Sequence, residues 1–193
     1  IEAAKTKPYG FMPFYPGPGV GGHCIPVDPF YLSWKAREYD FFTKFIEVAA
    51  DINMNMPYYT VDRIQNLLSD HNKSIKGAKI LVLGAAFKKD IDDYRNSVAM
   101  YLIKLLQAKE ADITYNDPFV PEIKFEHDLY MKEHVHVHQS QEITKELLSS
   151  VDLVLVAVPH SAYDFKFIVD NAKLVFDAVN GTKGIKSDKI VKL

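Results

Sequence analysis

Two apolar runs, residues 79–84 and 151–158, restrict the folds that this chain can adopt. Each run has the length of a β-strand, and the second is interrupted only by Asp152 near its start. Neither run alternates with polar residues, as a strand with one solvent-facing side would. Strands that are apolar on both faces belong to parallel sheets that helices cover from each side.

The segments around these runs predict further strands and helices in alternation. The predicted elements are a helix over residues 97–109, a strand over 112–116, a short strand over 135–138, a helix near 141–149 and a last strand over 173–179. Strands that alternate with helices form a mostly parallel sheet with helices on both faces. The sequence therefore predicts an α/β fold, with a Rossmann-like parallel sheet flanked by helices over residues 77–193.

Residues 1–76 predict helices and no strands. From Pro29 to about Leu68, apolar and aromatic residues recur at helical spacing. We expect Asp28 to cap the first helix, with Pro29 as its first residue, and residues 56–57 (Met-Pro) to mark a break or kink. The many aromatic side chains need burial against a partner, such as a second subunit. The sequence thus predicts a helical segment followed by the Rossmann-like domain.

Charge and cysteine content argue against several classes of function. The formal net charge of −2 gives no electrostatic reason to expect nucleic-acid or membrane binding. No apolar run reaches the roughly 18 residues of a membrane span. The single cysteine, Cys24, cannot form an internal disulfide or a zinc site with several cysteines, and it is compatible with a reducing cytosol. We therefore expect a cytoplasmic protein.

Three histidines alternate along the chain at His134, His136 and His138. On a strand they would share one face, because side chains alternate between the two faces of a strand. A metal site and a surface strand edge are both compatible with this pattern. No cysteine or further histidine accompanies them in the sequence, which favours the strand edge, and no metal site is predicted.

Residues 7–29 are too rich in glycine and proline for a helix or a strand, and they predict a loop. Residues 17–22 (GPGVGG) formally match the dinucleotide fingerprint G-x-G-x-x-G. That fingerprint has meaning only between a strand and a helix, and no strand precedes it here. We infer instead that the glycines let the backbone approach a ligand, and that they leave the thiol of Cys24 accessible at the end of the loop.

The segment that follows the first predicted strand contains residues that could bind a ligand. It has one glycine, Gly84, where a dinucleotide site needs three. Lys88 and Lys89 offer positive charge to a diphosphate, and Phe87 offers a ring to a base or sugar. Ligands of open α/β sheets bind at the carboxyl ends of the strands, where this segment lies. The alternative is a solvated pair of lysines in a loop.

These two segments carry a resemblance to a known family. Residues 14–29 (FYPGPGVGGHCIPVDP) resemble the active-site loop of the UDP-glucose/GDP-mannose dehydrogenase family. Residues 86–97 (AFKKDIDDYRNS) resemble that family's second signature, at the head of its UDP-binding domain. The resemblance implies an NAD-dependent enzyme of nucleotide-sugar metabolism and polysaccharide biosynthesis, which oxidises the C6 alcohol of a nucleotide sugar to a carboxylate in two steps.

The resemblance assigns catalytic roles to Cys24 and Asp28. The Cys24 thiolate would trap the aldehyde as a thiohemiacetal, a second oxidation would give a thioester, and water would release the acid. Asp28 would help to activate that water, a role that its predicted place at the helix cap does not exclude. Arg95 would approach the NAD cofactor, and its alternative is a salt bridge with Asp92 or Asp93.

The same matching implies a set of substrate-binding residues. They are Phe14, Tyr15, Gly17, Gly19, Gly21, Gly22 and His23 in the loop, together with Phe87 and Lys88. Val27 stands where the UDP-glucose branch has a lysine, which points to UDP-N-acetylglucosamine or UDP-N-acetylmannosamine as the substrate. Val179 stands where the family often has an arginine. A valine cannot make the contact that this arginine would make with the substrate.

The resemblance also implies parts that this chain lacks. The NAD-binding domain and the family's catalytic lysine and asparagine would precede Ile1, so we expect residues 1–193 alone to be inactive. Residues 1–76 would hold the active-site loop and the helices of a homodimer, and residues 77–193 the UDP-binding domain. A non-catalytic nucleotide-binding module and a dimerisation module remain as alternatives.

Overall fold

The computed structural model describes residues 1–125 and 136–193. The helices that precede the sheet are α1 (Glu2–Lys5), α2 (Asp28–Arg37) and α3 (Lys44–Asp70). The later elements are β1 (Lys79–Leu83), α4 (Val98–Ala108), β2 (Asp112–Asn116), β3 (Glu122–Phe125), β4 (His136–Gln139), α5 (Lys145–Ser150), β5 (Leu153–Val156), α6 (Phe165–Asn171), β6 (Val175–Asp177) and β7 (Ile190–Lys192). Within the described ranges, no helix is both long and apolar enough to cross a membrane.

Five strands form one sheet in the order β2-β1-β5-β6-β7, and every neighbouring pair in it is parallel. β2 pairs with one edge of β1 and β5 with the other, so the chain changes its direction across the sheet after β2. At such a switch point a crevice opens beyond the carboxyl ends of the two diverging strands, here β1 and β5. The predicted α/β fold with a parallel sheet flanked by helices is confirmed.

β1 contributes side chains to two hydrophobic cores. Ile80 and Val82 pack into the core that contains α3 and α4. Leu81 and Leu83 pack on the opposite face, with α5 and α6. The second half of α3 buries Ile64 in the same core as β1, so the packing continues across residue 76. The division into residues 1–76 and 77–193 stays a prediction.

α3 is a single helix of 27 residues that runs through Pro57, so the chain does not break at residues 56–57, and the expected alternative of a kink stays a prediction. Proline keeps a helical φ but has no N–H, so the carbonyl of Asn53 loses its usual helical partner. The backbone of Gly19 packs here: a Cβ on Gly19 would lie 3.1 Å from the Asn53 oxygen. The helical segment is interrupted instead between α2 and α3, where Asp40 has a φ of 54°.

The predicted cap at the start of α2 is also wrong. Asp28 is the first residue of the helix, its cap position is Val27, and no side chain caps the helix. The carbonyl of Cys24 accepts from the N–H groups of Val27 at 3.0 Å and of Asp28 at 2.8 Å. The chain therefore already turns at Cys24, which places the Asp28 carboxylate past the cap position.

Several short elements escaped the sequence analysis. The strand over residues 173–179 is not the last, because β7 follows it at the sheet edge. α6 has seven residues, β3 four and β7 three, so a period of apolar residues has little room to show. β4, expected near residues 135–138, pairs antiparallel with β3 outside the main sheet.

The histidine cluster lies only partly within the described residues. His134 lies outside them, and the backbone of His136 pairs with that of Phe125 across the β3–β4 ribbon. Nε2 of His138 lies 3.0 Å from Nε2 of Gln107, and the ring of His138 meets the ring of Phe125 edge-on. Because His138 faces these two side chains, the strand-edge interpretation keeps its support and stays a prediction.

Candidate active site

A cavity of about 250 Å³ lies at the switch point between β1 and β5. The glycine-rich loop forms one wall of it. The segments after β1 and β5, together with the start of α4, form the rest. The lining residues are 15–19, 21, 86–89, 97–99, 157–159 and 179. Both family-like segments therefore meet at the place where an open α/β sheet binds its ligands.

Six of the nine predicted substrate-binding residues line this cavity. They are Tyr15, Gly17, Gly19, Gly21, Phe87 and Lys88. Gly22 and His23 do not line it, but both lie against the ring of Phe87. Phe14 is exposed and is not among the lining residues. The structure thus brings most of the predicted set together, while the binding role of each residue stays a prediction.

The glycines of the loop serve packing more than ligand approach. A Cβ on Gly21 would lie 2.9 Å from the carbonyl oxygen of Asn96, and one on Gly22 would lie 3.0 Å from the ring of Phe87. The N–H of Gly22 also donates to the Asn96 carbonyl at 3.2 Å. Only Gly17 has open space where a Cβ would be and also lines the cavity. The expectation that the glycines admit a ligand is therefore supported at Gly17 alone.

Cys24 lies three residues beyond Gly21, with its free thiol exposed. Neither Cys24 nor Asp28 is among the residues that line the cavity. Both are exposed and lie at the two ends of the turn that leads into α2. A thiol at this position is open to attack a substrate group that extends out of the cavity, past Gly21.

Asp93 links the active-site loop to the segment after β1. Its carboxylate accepts hydrogen bonds from Nε of Arg95 at 3.0 Å and from a terminal guanidinium nitrogen of Arg95 at 2.8 Å. Nε2 of His23 lies 3.7 Å from the same carboxylate. Hydrogen bonds from the Arg95 side chain, and then from its backbone, lower the pKa of Asp93 to about 2. The salt bridge considered for Arg95 is thus present, and its cofactor role stays a prediction.

At the end of β1, two groups that bind the cofactor in a dinucleotide site form hydrogen bonds to each other instead. They are an acidic side chain and the backbone N–H groups after the strand. Oδ2 of Asp117 accepts from the backbone N–H groups of Ala85 at 2.7 Å and of Ala86 at 3.0 Å. In a dinucleotide site the N–H groups after β1 bind the pyrophosphate, and an acidic residue binds the ribose. Asp117 is only 2% exposed, so neither partner is free for NAD.

Sequence analysis missed Asp117 and its partner His160. Nε2 of His160 lies 3.0 Å from Oδ2 of Asp117, and the other carboxylate oxygen accepts from the N–H groups of Phe119 and Val120. The position of Asp117, directly after a predicted strand and before a proline, marked a turn. It gave no indication that the side chain points inward.

The cavity favours an anionic ligand. Lys88 and Lys89 line it together with residues 97–99, at the N-terminus of α4. Ser97 caps this helix by accepting from the N–H of Ala99 at 3.1 Å, and its hydroxyl donates to the carbonyl of Ala86 at 3.0 Å. A helix N-terminus and two ammonium groups attract negative charge, and phosphate groups above all.

Comparison with protein families gives two matches along the chain. Residues 81–184 match the UDP-binding domain of the UDP-glucose/GDP-mannose dehydrogenase family, and residues 1–55 match that family's central domain. A curated relative, protein CapL of Staphylococcus aureus, is 34% identical over 182 residues, which cover 92% of this chain and 40% of the relative.

Other similar proteins carry more specific names. UDP-N-acetyl-D-glucosamine 6-dehydrogenase of Pseudomonas aeruginosa is 29% identical over 84% of this chain and 36% of its own length. The solved structure of UDP-D-ManNAc dehydrogenase from Pyrococcus horikoshii superposes with a TM-score of 0.77 at 25% identity, over 100% of this chain and 42% of that one. The chain thus spans about 40% of the length of the proteins that it resembles.

Proposed function

Because the chain belongs to the UDP-glucose/GDP-mannose dehydrogenase family, we propose that it is the central and C-terminal part of an NAD-dependent UDP-N-acetylhexosamine 6-dehydrogenase. The observation that carries the proposal is the meeting of two segments at one cavity. The loop that ends at Cys24 and the lysine pair after β1 both border the switch-point crevice. The cavity therefore offers phosphate-binding groups close to an exposed nucleophile.

The end of β1 does not offer the N–H groups that a dinucleotide site uses. The N–H groups after β1 are bonded to Asp117, which is buried and has no free acceptor directed to solvent. Two molecules of NAD, bound in turn elsewhere in the enzyme, would each accept one hydride from C6 of the sugar. The contribution of this chain is to hold the nucleotide through Phe87 and Lys88, and to form a covalent bond to C6 through Sγ of Cys24.

In the covalent steps this chain would supply the nucleophile, and NAD would be the oxidant. The Cys24 thiolate adds to the C6 aldehyde, and the alkoxide that forms takes up a proton to give a thiohemiacetal. Oxidation of this adduct to a thioester would remove the hydride of C6, which passes to the second NAD, and the hydroxyl proton, which passes to solvent. We assign to Asp28 the role of accepting a proton from the water that attacks the thioester carbonyl, after which the C–S bond breaks to release the carboxylate and the thiolate. A thiol nucleophile has to stay reduced, so we propose a cytoplasmic enzyme.

Val27 and the similar proteins together support an N-acetylhexosamine substrate. Val27 is 40% exposed and lies between Cys24 and Asp28, where it can contact an acetamido methyl group but cannot bind a hydroxyl as a lysine would. Relatives named UDP-N-acetyl-D-glucosamine 6-dehydrogenase and UDP-N-acetyl-D-mannosamine dehydrogenase are both similar to this chain. The uronic acid product would serve polysaccharide biosynthesis.

We expect the full-length protein to oxidise UDP-N-acetylglucosamine or UDP-N-acetylmannosamine with a kcat/KM at least about tenfold above that for UDP-glucose. The measurement is NADH formation on the three sugars side by side. Residues 1–193 alone should bind UDP by calorimetry and reduce no NAD. UDP binding with no turnover by the full-length protein would favour a nucleotide-binding module, and no UDP affinity would favour a dimerisation module.

We also propose a homodimer formed through the central helices. Phe45, at the start of α3, is 92% exposed, and Trp34 on α2 is 67% exposed. Apolar side chains on this scale are seldom left in water unless another molecule covers them.

Phe45→Glu is therefore expected to shift the chain from dimer to monomer, because each partner would bury an unpaired carboxylate. Sedimentation velocity measures the shift. Asn66→Glu, an exposed substitution further along α3, is the matched control and should leave the dimer intact. A wild-type chain that sediments as a monomer would contradict the proposal.

A further inference from the structure

His160 is a buried histidine for which the proposed reaction has no use. It follows β5 by four residues and is 1% exposed. Its Nδ1 lies 2.9 Å from the backbone nitrogen of Asp90, and its Nε2 lies 3.0 Å from Oδ2 of Asp117. A backbone N–H can only donate, so Nδ1 is an acceptor. The proton of the neutral ring is therefore on Nε2, where it is donated to Asp117.

These contacts hold both ends of the segment over residues 85–90. At its start, Asp117 accepts from the N–H groups of Ala85 and Ala86. At its end, His160 accepts from the N–H of Asp90. The Asp90 carboxylate accepts from the backbone N–H and the hydroxyl of Ser161, each at 2.7 Å. Residues 87–89, which lie between these anchors, all line the cavity.

The end of this segment needs an external anchor. Asp90 has a φ of 61°, a left-handed conformation that residues with a side chain adopt rarely, although aspartate does so more readily than most. The hydrogen bond from the Asp90 N–H to His160, and those from Ser161 to the Asp90 carboxylate, hold that conformation. If they are lost, residues 87–89 can leave the geometry in which all three line the same cavity.

We propose that His160 is a positioning residue for nucleotide binding: it accepts the N–H of Asp90 and so holds Phe87, Lys88 and Lys89 in place for the uridine diphosphate. The proposal rests on the proposed function, because the ligand is the nucleotide of that substrate. His160 itself does not line the cavity. It acts only through the segment that it anchors.

Two substitutions test the hydrogen bonds of the two ring nitrogens separately. His160→Asn keeps an acceptor near the position of Nδ1 and loses the bond to Asp117. His160→Gln reaches towards Asp117 with a donor and leaves the N–H of Asp90 unpaired. We expect His160→Gln to raise the Kd for UDP about tenfold, and His160→Asn to change it by less than about threefold.

Thermal unfolding, compared with UDP binding, distinguishes a positioning role from a purely structural one. His160→Asn loses the bond to a buried carboxylate and should have the lower Tm, whereas His160→Gln should have the weaker UDP binding. Thr144→Ala removes the hydroxyl that caps α5 by accepting from the N–H of Leu147 at 3.1 Å; it does not line the cavity and is the control, with a lowered Tm and a Kd within about twofold of wild type. Two results would overturn the proposal. One is a Kd for UDP that rises in step with the fall in Tm across the three variants, and the other is an unchanged Kd in His160→Gln.

Amide hydrogen exchange tests the anchor without a ligand. The N–H of Asp90 should lose protection in His160→Gln and keep it in His160→Asn. Equal protection in both variants would overturn the positioning role, whatever the UDP affinities. If the wild-type chain fails to bind UDP, the proposed function is wrong. Equal protection with intact UDP binding would refute only the role of His160.

Discussion

Cys24→Ser in the full-length protein is expected to lower formation of the uronic acid by about a thousandfold or more. The serine hydroxyl is not ionised at neutral pH, and an ester formed through it is less reactive towards water than a thioester. The exposed position of Cys24 allows the substitution without a cavity or a clash, so the fold should be unchanged. The measurement is chromatography of the UDP-sugar acid after a fixed time.

The control for this experiment is nucleotide binding. Cys24 does not line the cavity, so Cys24→Ser should bind UDP with a wild-type Kd. Alkylation of the wild-type thiol should be slower with the UDP-sugar present, because the sugar would extend from the cavity past Gly21 towards Cys24. Acid formation by Cys24→Ser at the wild-type rate would remove the thiol from the mechanism.

The parts of the fold that sequence analysis predicted are those with strong local patterns. The strand over residues 112–116 has the predicted bounds, and residues 79–83 form a strand as expected. Both strands are bounded by a change from apolar to polar or turn residues within one or two positions. The sequence left a break and a kink at Pro57 as alternatives, because the continuity of the helix depends on packing: Pro57 is buried, and the backbone of Gly19 lies against the Asn53 carbonyl beside it.

The candidate site was predictable as a set of residues but not as a geometry. The spacing of glycines in residues 17–22 indicates a loop that approaches something closely. It does not indicate what is approached. Gly21 and Gly22 approach Phe87 and Asn96 of the second segment, and this contact brings the two segments together. A pairing across more than sixty residues leaves no local trace in the sequence.

Asp117 illustrates the same limit for buried polar groups. An aspartate before a proline is common in exposed turns, and nothing nearby in the sequence marks this one as an inward-facing acceptor. Its partners come from four places: residues 85–86, 119, 120 and 160. A network that joins the ends of β1, β2 and β5 becomes visible only when the sheet order is known.

The position of this carboxylate explains why the domain has a Rossmann-like sheet without a dinucleotide site. The N–H groups after β1 form hydrogen bonds to a fixed internal anion, so a single glycine, Gly84, is enough for the turn. A Cβ on Gly84 would lie 2.4 Å from Cβ of Val158, which shows how closely the ends of β1 and β5 approach. In the proposed function, nucleotide binding is assigned to the lysine pair, the start of α4 and the glycine-rich loop.

Asp117→Ala should therefore be among the most destabilising single substitutions in this domain. It removes the acceptor of four backbone N–H groups and of the His160 ring, all of them at a site that is closed to water. A buried donor that loses its partner costs about 1–3 kcal/mol, so we expect the free energy of unfolding to fall by about 4 kcal/mol or more. Urea unfolding at neutral pH measures the change.

An exposed aspartate that caps a helix provides the matched control. Asp164 accepts from the N–H of Phe167 at 2.9 Å at the start of α6, and it is exposed. Asp164→Ala should lower the free energy of unfolding by only about 1 kcal/mol, as expected for a helix cap. Equal losses in the two variants would show that the Asp117 network is no stronger than a surface cap.

The pH dependence of stability tests the charge of Asp117 directly. Burial raises the pKa of Asp117, but the hydrogen bonds from His160 and from the N–H groups of Ala85, Phe119 and Ala86 outweigh it, and the pKa lies below its usual value. A carboxyl with a lowered pKa stabilises the fold above its unfolded pKa, and this contribution is lost as the pH falls through the folded pKa. The stability difference between wild type and Asp117→Ala should therefore be constant near neutrality and should shrink below about pH 4. A difference that stays constant down to pH 2 would mean that folding does not lower the pKa of Asp117.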